Sequence, residues 1–238
     1  HNTIAGQIAL LLKCNAYNYA YVHRIFSFEN ALLDTLMMLT EQPNHQILLG
    51  GVDEITPVSY TIMQRLGIYK SAQGLTPELF HSQTPGSIAG EGSTFFVMSN
   101  RAENAIACVH AVKTFYKPLN AEETQQQILS FIAEQGLQPS QIDGVMMGYS
   151  GDSRSDAVYD QLVASIFAHH NIMYYKHLSG EYFTSSAFAM WAAALMLKNQ
   201  SVPPVFNHRF VAPKPLKNVL IYNQYKNAEH AVILLSAK

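Results

Sequence analysis

Hydrophobic positions along the chain fall into runs of two kinds, short β-branched or aromatic stretches and longer stretches with helical spacing. Ile4 to Leu12 is an apolar run that ends at Lys13 and Cys14. Tyr17 to Val22 (Tyr-Asn-Tyr-Ala-Tyr-Val) is rich in β-formers and predicts a strand with Tyr17, Tyr19 and Tyr21 on one face. Ser27 and Asn30 open an amphipathic helix carrying Ala31, Leu32, Thr35, Leu36 and Leu39, which stops before Pro43. Gln46 to Val52 is an uncharged strand, expected to be covered on both faces. From Asp53 to Gly92 no period holds; this is an excursion with a short helix near Tyr60 to Leu66. Thr94 to Ser99 and Ile106 to Phe115 then read as two strands, antiparallel across the turn at Asn100 to Asn104.

The second half alternates more regularly. Asn120 with Glu123 three residues on resembles a capping box and starts a helix with the stripe Ile128, Phe131, Ile132 and Leu137. Gln141 to Tyr149 predicts a buried strand, Ser155 to Ala168 a helix and Asn171 to Tyr175 a short strand. From Phe183 to Leu197 there is no charge at all, and small residues interleave with Phe188, Met190, Trp191 and Leu195. A helix apolar on every side has no face to offer water, so it belongs inside the protein. It is too short to span a membrane, which takes about 20 apolar residues. Lys176-His177-Leu178-Ser179-Gly180-Glu181 precedes it, a polar cluster placed where a buried helix presents its partly positive end. After Val202-Pro203-Pro204, strands at Asn218 to Asn223 and His230 to Ser236 close the chain. Strands alternating with helices imply a largely parallel sheet covered by helices. Both parts end in two consecutive strands, which suggests an internal duplication with the first copy shortened.

Composition narrows the partners. Only 13% of the 238 residues are charged, about half the roughly 25% usual for soluble domains, so much of the surface is expected to face a partner. The net charge of -2 and the lack of a basic run argue against nucleic acid. Cys14 and Cys108 have no metal or redox spacing and predict buried or free thiols in a reducing compartment, with Cys14 in the core. His81, His110 and His208 are scattered without ligand spacing, and His169-His170 suits a helix C-terminus better than a metal. Met37-Met38 and Met146-Met147 read as core. Asp152, Arg154 and Asp156 read as loop and cap residues with a possible salt bridge. No cofactor, metal or membrane segment is indicated, and cytoplasm is the expected location. The abrupt start at His1-Asn2-Thr3 suggests a fragment.

Several local patterns together resemble the thiolase-fold condensing enzymes, specifically the β-ketoacyl-acyl carrier protein synthases. These are Ile47-Leu48-Leu49-Gly50-Gly51-Val52-Asp53, Gly90-Glu91-Gly92-Ser93 before Phe95-Phe96-Val97, Ile142-Asp143-Gly144-Val145 before a Gly/Ser loop and Asp156, and Lys176 with Gly180 before the Ala-rich helix. They come in the family's order along the whole chain. The resemblance implies an α/β, thiolase-like fold, layered α-β-α-β-α, with the beginning of the first half absent. It divides the chain into 1–100, the remainder of an N-terminal half, and 101–238, the C-terminal half.

The same resemblance implies chemistry that this sequence departs from. The family attacks its thioester with a Cys at the start of a buried helix and uses two His in decarboxylation. A gapless register between Asn18 and Ala31-Leu32 puts Ile25 in the nucleophile slot, flanked by His23 and Arg24 at a strand end. Gly148 takes the first His position and Glu181 the second, while the family's Lys is retained as Lys176. A carboxylate cannot donate to a developing enolate unless protonated, and an ion pair with Lys176 is the simpler role for Glu181. A Gly-Phe-Gly-Gly loop is replaced by Gln224 to His230, whose bulk, Tyr225 included, would intrude on the cavity. Acyl-pocket candidates are thus Ile25, Ser150, Lys176, Glu181 and Tyr225.

Two functions follow from this. The first is a catalytically silent partner subunit, like a chain-length factor, of an active ketosynthase in fatty acid, polyketide or aryl-polyene-type biosynthesis. Its expected partners are that ketosynthase or a second copy, as a dimer, and acyl carrier protein. The alternative is an acyl-handling enzyme that has repurposed the pocket, with Ser150, Asp152, Asp156, Lys176, His177 and Glu181 as candidates. Gly148-Tyr149-Ser150-Gly151-Asp152 resembles a nucleophile elbow without its closing Gly.

Overall fold

The computed structural model describes residues 3–70, 79, 82–211 and 215–238; His81, read above as an isolated histidine, lies outside them. In chain order the elements are α1 (Thr3–Leu12), α2 (Ser27–Glu41), β1 (Gln46–Asp53), α3 (Pro57–Arg65), β2 (Gly92–Ser99), β3 (Cys108–Tyr116), α4 (Ala121–Glu134), β4 (Gly144–Met147), α5 (Ala157–Ala164), β5 (Asn171–Tyr174), α6 (Lys176–Ser179), α7 (Ser185–Asn199), β6 (Asn207–Arg209), β7 (Asn218–Tyr225) and β8 (Glu229–Ser236).

The strands form two sheets. β1 and β2 pair antiparallel as a two-stranded sheet, and the other six run in the order β3-β8-β7-β4-β5-β6. β4 is parallel to both β5 and β7; β3, β8 and β7 are successively antiparallel. Alternation along the strands feeds two cores. Met146, Met173, Ile221 and Ile233 point to the side of α2 and α7, while Val145, Met147, Leu220, Tyr222 and Val232 point to α4 and α5. Helices α2 and α7 therefore form a central layer between the two sheets, with Leu49 of β1 in the same core. Helices α4 and α5 cover the far side of the six-stranded sheet.

Helix α7 is buried as its uncharged sequence requires: Ser185, Ser186, Ala189 and Ala193 are wholly inaccessible and Met190 nearly so. Small residues on successive turns allow the sheets to approach from both sides, and truncation of Met190 or Leu197 to Ala should cost about 2–5 kcal/mol. Asn120 caps α4 by accepting the Glu123 backbone N–H at 2.9 Å, as predicted. Glu123 departs slightly from the capping box, since it accepts the N–H of Leu119.

Several expectations are corrected. Tyr17 to Val22 enters neither sheet, and its tyrosines stack on one another instead, Tyr17 on Tyr19 and Tyr19 against Tyr21. His23 accordingly caps, and Arg24 opens, a 3₁₀ turn rather than ending a strand. β2 and β3 do not pair: β2 turns back on β1, whereas β3 lies on β8 in the other sheet. β1 is covered on one face only, Leu48 being 45% exposed. Cys14 is not core; it and Cys108 are both free and exposed. Met37 is exposed as well, whereas Met146 and Met147 are fully buried.

Candidate functional site

The N-terminal ends of the two central helices meet near the C-terminal ends of β4, β5 and β7. Helix α7 is held there by Asp53, the last residue of β1. Its Oδ2 accepts both the backbone N–H (2.8 Å) and the hydroxyl (2.6 Å) of Thr184. A carboxylate against the first turn suits the helix dipole. Helix α2 is reached through the 3₁₀ turn Arg24–Phe26, with Arg24 in the left-handed region at φ +50°. The Ser27 hydroxyl fixes this turn by accepting the His23 N–H and donating to the Arg24 carbonyl. Ile25, in the nucleophile slot of the resemblance, is 1% exposed and packed into the protein. It presents neither a nucleophilic atom nor a free surface.

Lys176, on α6, is completely buried, and its Nζ donates to Glu181 Oε2 at 2.7 Å. Burial raises the Glu181 pKa, and the Lys176 charge opposes that rise. Glu181 is set by its backbone, which bridges to the excursion: its N–H donates to the Ile88 carbonyl and its own carbonyl accepts the Gly90 N–H. That approach explains Gly90, where any Cβ would lie 2.1 Å from the Ser179 carbonyl oxygen. The retained lysine is thus neutralised inside the protein.

Ser150 is occupied by Asp156. The carboxylate accepts the Ser150 hydroxyl (3.1 Å), the Ser150 N–H and the Gly151 N–H. Burial raises the Asp156 pKa to about 6, and these donors pull the other way. Among the described residues no imidazole bonds to Ser150, and a serine that only donates to a carboxylate lacks the base that activates a hydroxyl nucleophile. Asp152 and Arg154 form the expected salt bridge at 2.7 Å, and Arg154 also reaches the Gly67 carbonyl. Lys70 donates to Gly151 O, Ser82 Oγ and both oxygens of Thr84, so the excursion is bound to this loop by two cations. His177 stands apart, with Nε2 at 2.7 Å from the Val205 carbonyl and its pKa lowered by burial.

Ser150, Asp152, Glu181 and Tyr225 line one crevice of about 20 Å³. A space of that size admits about one water. Tyr225 leads into a three-residue connection in which Lys226 and Asn227 both have positive φ, and its ring meets Phe183 edge-on. Gln224, Tyr225 and Lys226 of this loop and Glu181 are walls of the same crevice.

Gly148 is more informative. A Cβ there would stand 2.2 Å from Asn223 Oδ1 and 3.0 Å from the Tyr175 hydroxyl. The volume a histidine would enter is already taken by these two side chains, both nearly inaccessible. Around them lies a buried polar group not foreseen from the sequence: Glu29, Tyr175, Ser185, Ser186 and Asn223. Their side-chain polar atoms make no hydrogen bond of good geometry. Burial raises the Glu29 pKa to about 7, against the opposing pull of the Ser186 hydroxyl and the Lys176 charge. The sequence did carry a signal, since Glu29 interrupts the apolar stripe of α2 and Asn223 falls on the core face of β7, in phase with Val219 and Ile221. Among the described residues, no three His, Cys, Asp or Glu side chains gather as metal ligands, and no helix is long and apolar enough to cross a membrane.

No family model matches the sequence, and no curated protein sequence does either. Solved structures do match. The ketosynthase AntDE, from a type II polyketide synthase complex with the acyl carrier protein AntF, has a TM-score of 0.81 at 14% identity, over 100% of this chain and 67% of that one. A β-ketoacyl synthase from Burkholderia phymatum gives 0.79 at 15%, over 100% and 65%. The ishigamide ketosynthase/chain length factor gives 0.78 at 16%, again over 100% and 65%. The chain spans about half to two thirds of the length of the ketosynthases it matches. Over its whole length, then, this polypeptide has the α/β thiolase-type fold of the ketosynthases.

Proposed function

We propose that this chain is a catalytically silent ketosynthase-like subunit. It pairs with an active ketosynthase in the cytoplasm and helps to shape the site where acyl carrier protein delivers its acyl group. Fatty acid, polyketide and aryl-polyene-type pathways are the setting. The observation that carries this reading is Gly148 with its neighbours: the space for a catalytic imidazole is filled by Asn223 and Tyr175. Buried Ile25 and the Lys176–Glu181 pair agree with it. Without a thiolate, no acyl-enzyme forms; without an imidazole, nothing donates to the enolate that decarboxylation generates. The matched ketosynthase/chain length factor and the ketosynthase in complex with its carrier protein support the choice of partners.

The test is intact-mass analysis after incubation with acyl-carrier-protein thioester, alongside affinity purification from the source cell. The expected result is no covalent adduct and recovery of a ketosynthase that keeps its Cys and both His. A stable acyl adduct would refute silence. The alternative, an acyl-handling enzyme built on Ser150, Lys176 and Glu181, requires a free hydroxyl and space for substrate. Ser150 is tied to Asp156 beside a water-sized crevice.

A further inference from the structure

Three buried carboxyl groups share one buried cation. Lys176 donates to Glu181 at 2.7 Å, and its charge also acts on Glu29 of α2 and on Asp156, just before α5. The three differ in what else holds them. Asp156 accepts the hydroxyl and N–H of Ser150 and the N–H of Gly151. Glu181 has the lysine itself. Neither oxygen of Glu29 makes a hydrogen bond of good geometry, although the residue is buried. An ionised carboxylate does not persist in that condition: it takes up a proton or draws a positive charge towards itself.

Tyr175 adjoins both glutamates. Burial chiefly, then Glu181 and to a smaller degree Glu29, raise the pKa of its phenol, and the Lys176 Nζ lies 5.9 Å from the centre of its ring. The two carboxyl groups differ in access to water. Glu181 lines the crevice beside Asp152, and its side chain is 10% exposed, whereas Glu29 is shut between α2 and α7. A charge left unpaired at Glu181 can thus be hydrated, and one at Glu29 cannot.

The other charged groups on the elements packed against α2 are engaged or in solvent. Asp53 of β1 holds Thr184, and on β3 Lys113 pairs with Glu134 and His110 meets the Ser236 hydroxyl. Arg24 before α2 and Lys198 of α7 are exposed. Around Glu181, Asp152 is paired with Arg154. Burial raises the phenols of Tyr69, Tyr182 and Tyr225, the last two to about 12, so they stay protonated through neutral pH.

We propose that Lys176 is a pH-operated latch shared between Glu181 and Glu29. While Glu29 is protonated, Lys176 holds Glu181 and keeps the crevice closed, as in this structure. When Glu29 gives up its proton to solvent, Lys176 turns to Glu29 and Glu181 is released towards the crevice. The ammonium keeps all its protons, and only hydrogen bonds change. Glu181 bridges the excursion through its backbone, donating to the Ile88 carbonyl and accepting the Gly90 N–H, so its release loosens the excursion there. Burial raises the Glu29 pKa to about 7, which sets the closed state below neutral pH and the open one above it. The latch concerns charge and not acyl chemistry, and it stands or falls independently of catalytic silence.

The experiment follows the Lys176 ¹⁵Nζ and the Glu29 and Glu181 ¹³Cδ resonances of the whole protein between about pH 5 and about pH 9. Lys176 and Glu181 should both shift with the midpoint of Glu29. The amides of Gly90 and Glu181 should lose at least tenfold in hydrogen-exchange protection above that midpoint, relative to the paired amides of β7 and β8. Glu29→Gln should abolish both changes, and Glu29→Leu serves as a second variant without a titrating group. Lys176 and Glu181 resonances that stay in place while Glu29 titrates would overturn the proposal. Shifts that persist in Glu29→Gln would assign them to Asp156 and overturn it as well. So would a loss of protection shared equally by β7 and β8, which would mark general loosening of the protein.

Discussion

Glu29 is a carboxyl group placed on the apolar side of α2, 1% exposed and without a hydrogen bond of good geometry. Folding raises its pKa from 4.5 to about 7, so the native state keeps a proton that the unfolded chain releases sooner. Its contribution to stability therefore declines as pH climbs from about 4.5 through about 7, by an amount on the order of 3 kcal/mol. His230 acts the other way. Burial lowers its pKa from 6.5 to about 4, so its contribution improves with rising pH over that window. The clean measurement is a difference: Glu29→Gln should match the wild type in urea unfolding at pH 4.5 and exceed it at pH 8. Lys176 and Glu181 supply a second residue-scale prediction. Lys176→Met strands a buried carboxylate and should cost about 3–5 kcal/mol, most of it regained in Lys176→Met/Glu181→Leu. Gly148→Ala places a methyl group against Asn223 and should cost about 1–3 kcal/mol, with much of the loss relieved by Asn223→Ala in a double-mutant cycle.

Among the elements, α7 depends on an anchor outside itself. Asp53→Ala removes both acceptor contacts to Thr184 and should destabilise the protein by about 1–3 kcal/mol. Amide exchange should quicken first at Ser185 to Phe188. Elements whose burial is local were legible in the sequence. α7 announces itself by its lack of charge, α4 by its cap and stripe, and β7 and β8 by their continuous apolar runs. What could not be read was pairing. Tyr17 to Val22 has the composition of a strand, but a strand exists only beside a partner, and none of the described residues supplies one. β2 and β3 are neighbours in sequence and read as a hairpin, yet each finds a better-matched partner elsewhere, β1 for one and β8 for the other. The site was legible in part for the same reason. The Lys176–Glu181 pair is five residues apart and could be anticipated, whereas the meeting of Gly148, Tyr175 and Asn223 requires three strands to be in register.

For the molecule as a whole, the proposed role predicts that restoring one group does not restore a reaction. Ile25→Cys should yield no condensation product with malonyl- and acyl-loaded carrier protein, because the position at Gly148 stays filled; radiolabelled product analysis would show it. In company with an active ketosynthase, the wild-type chain should alter the length of the product without itself being labelled. Trp191 is 43% exposed on a helix whose other residues from Ser185 to Leu197 are buried or half-buried, and it gives a fluorescence signal by which such association can be followed.

The crowding around Gly148 also bears on which side chains the position can take. An imidazole could enter there only after Asn223 on β7 and Tyr175, just past β5, had first given up volume, and each such step alone leaves a hole in the protein's interior. Every such route therefore passes through intermediates that fold less well than either end. A small residue walled in this way stays fixed like a ratchet tooth while substitutions accumulate on the surface around it.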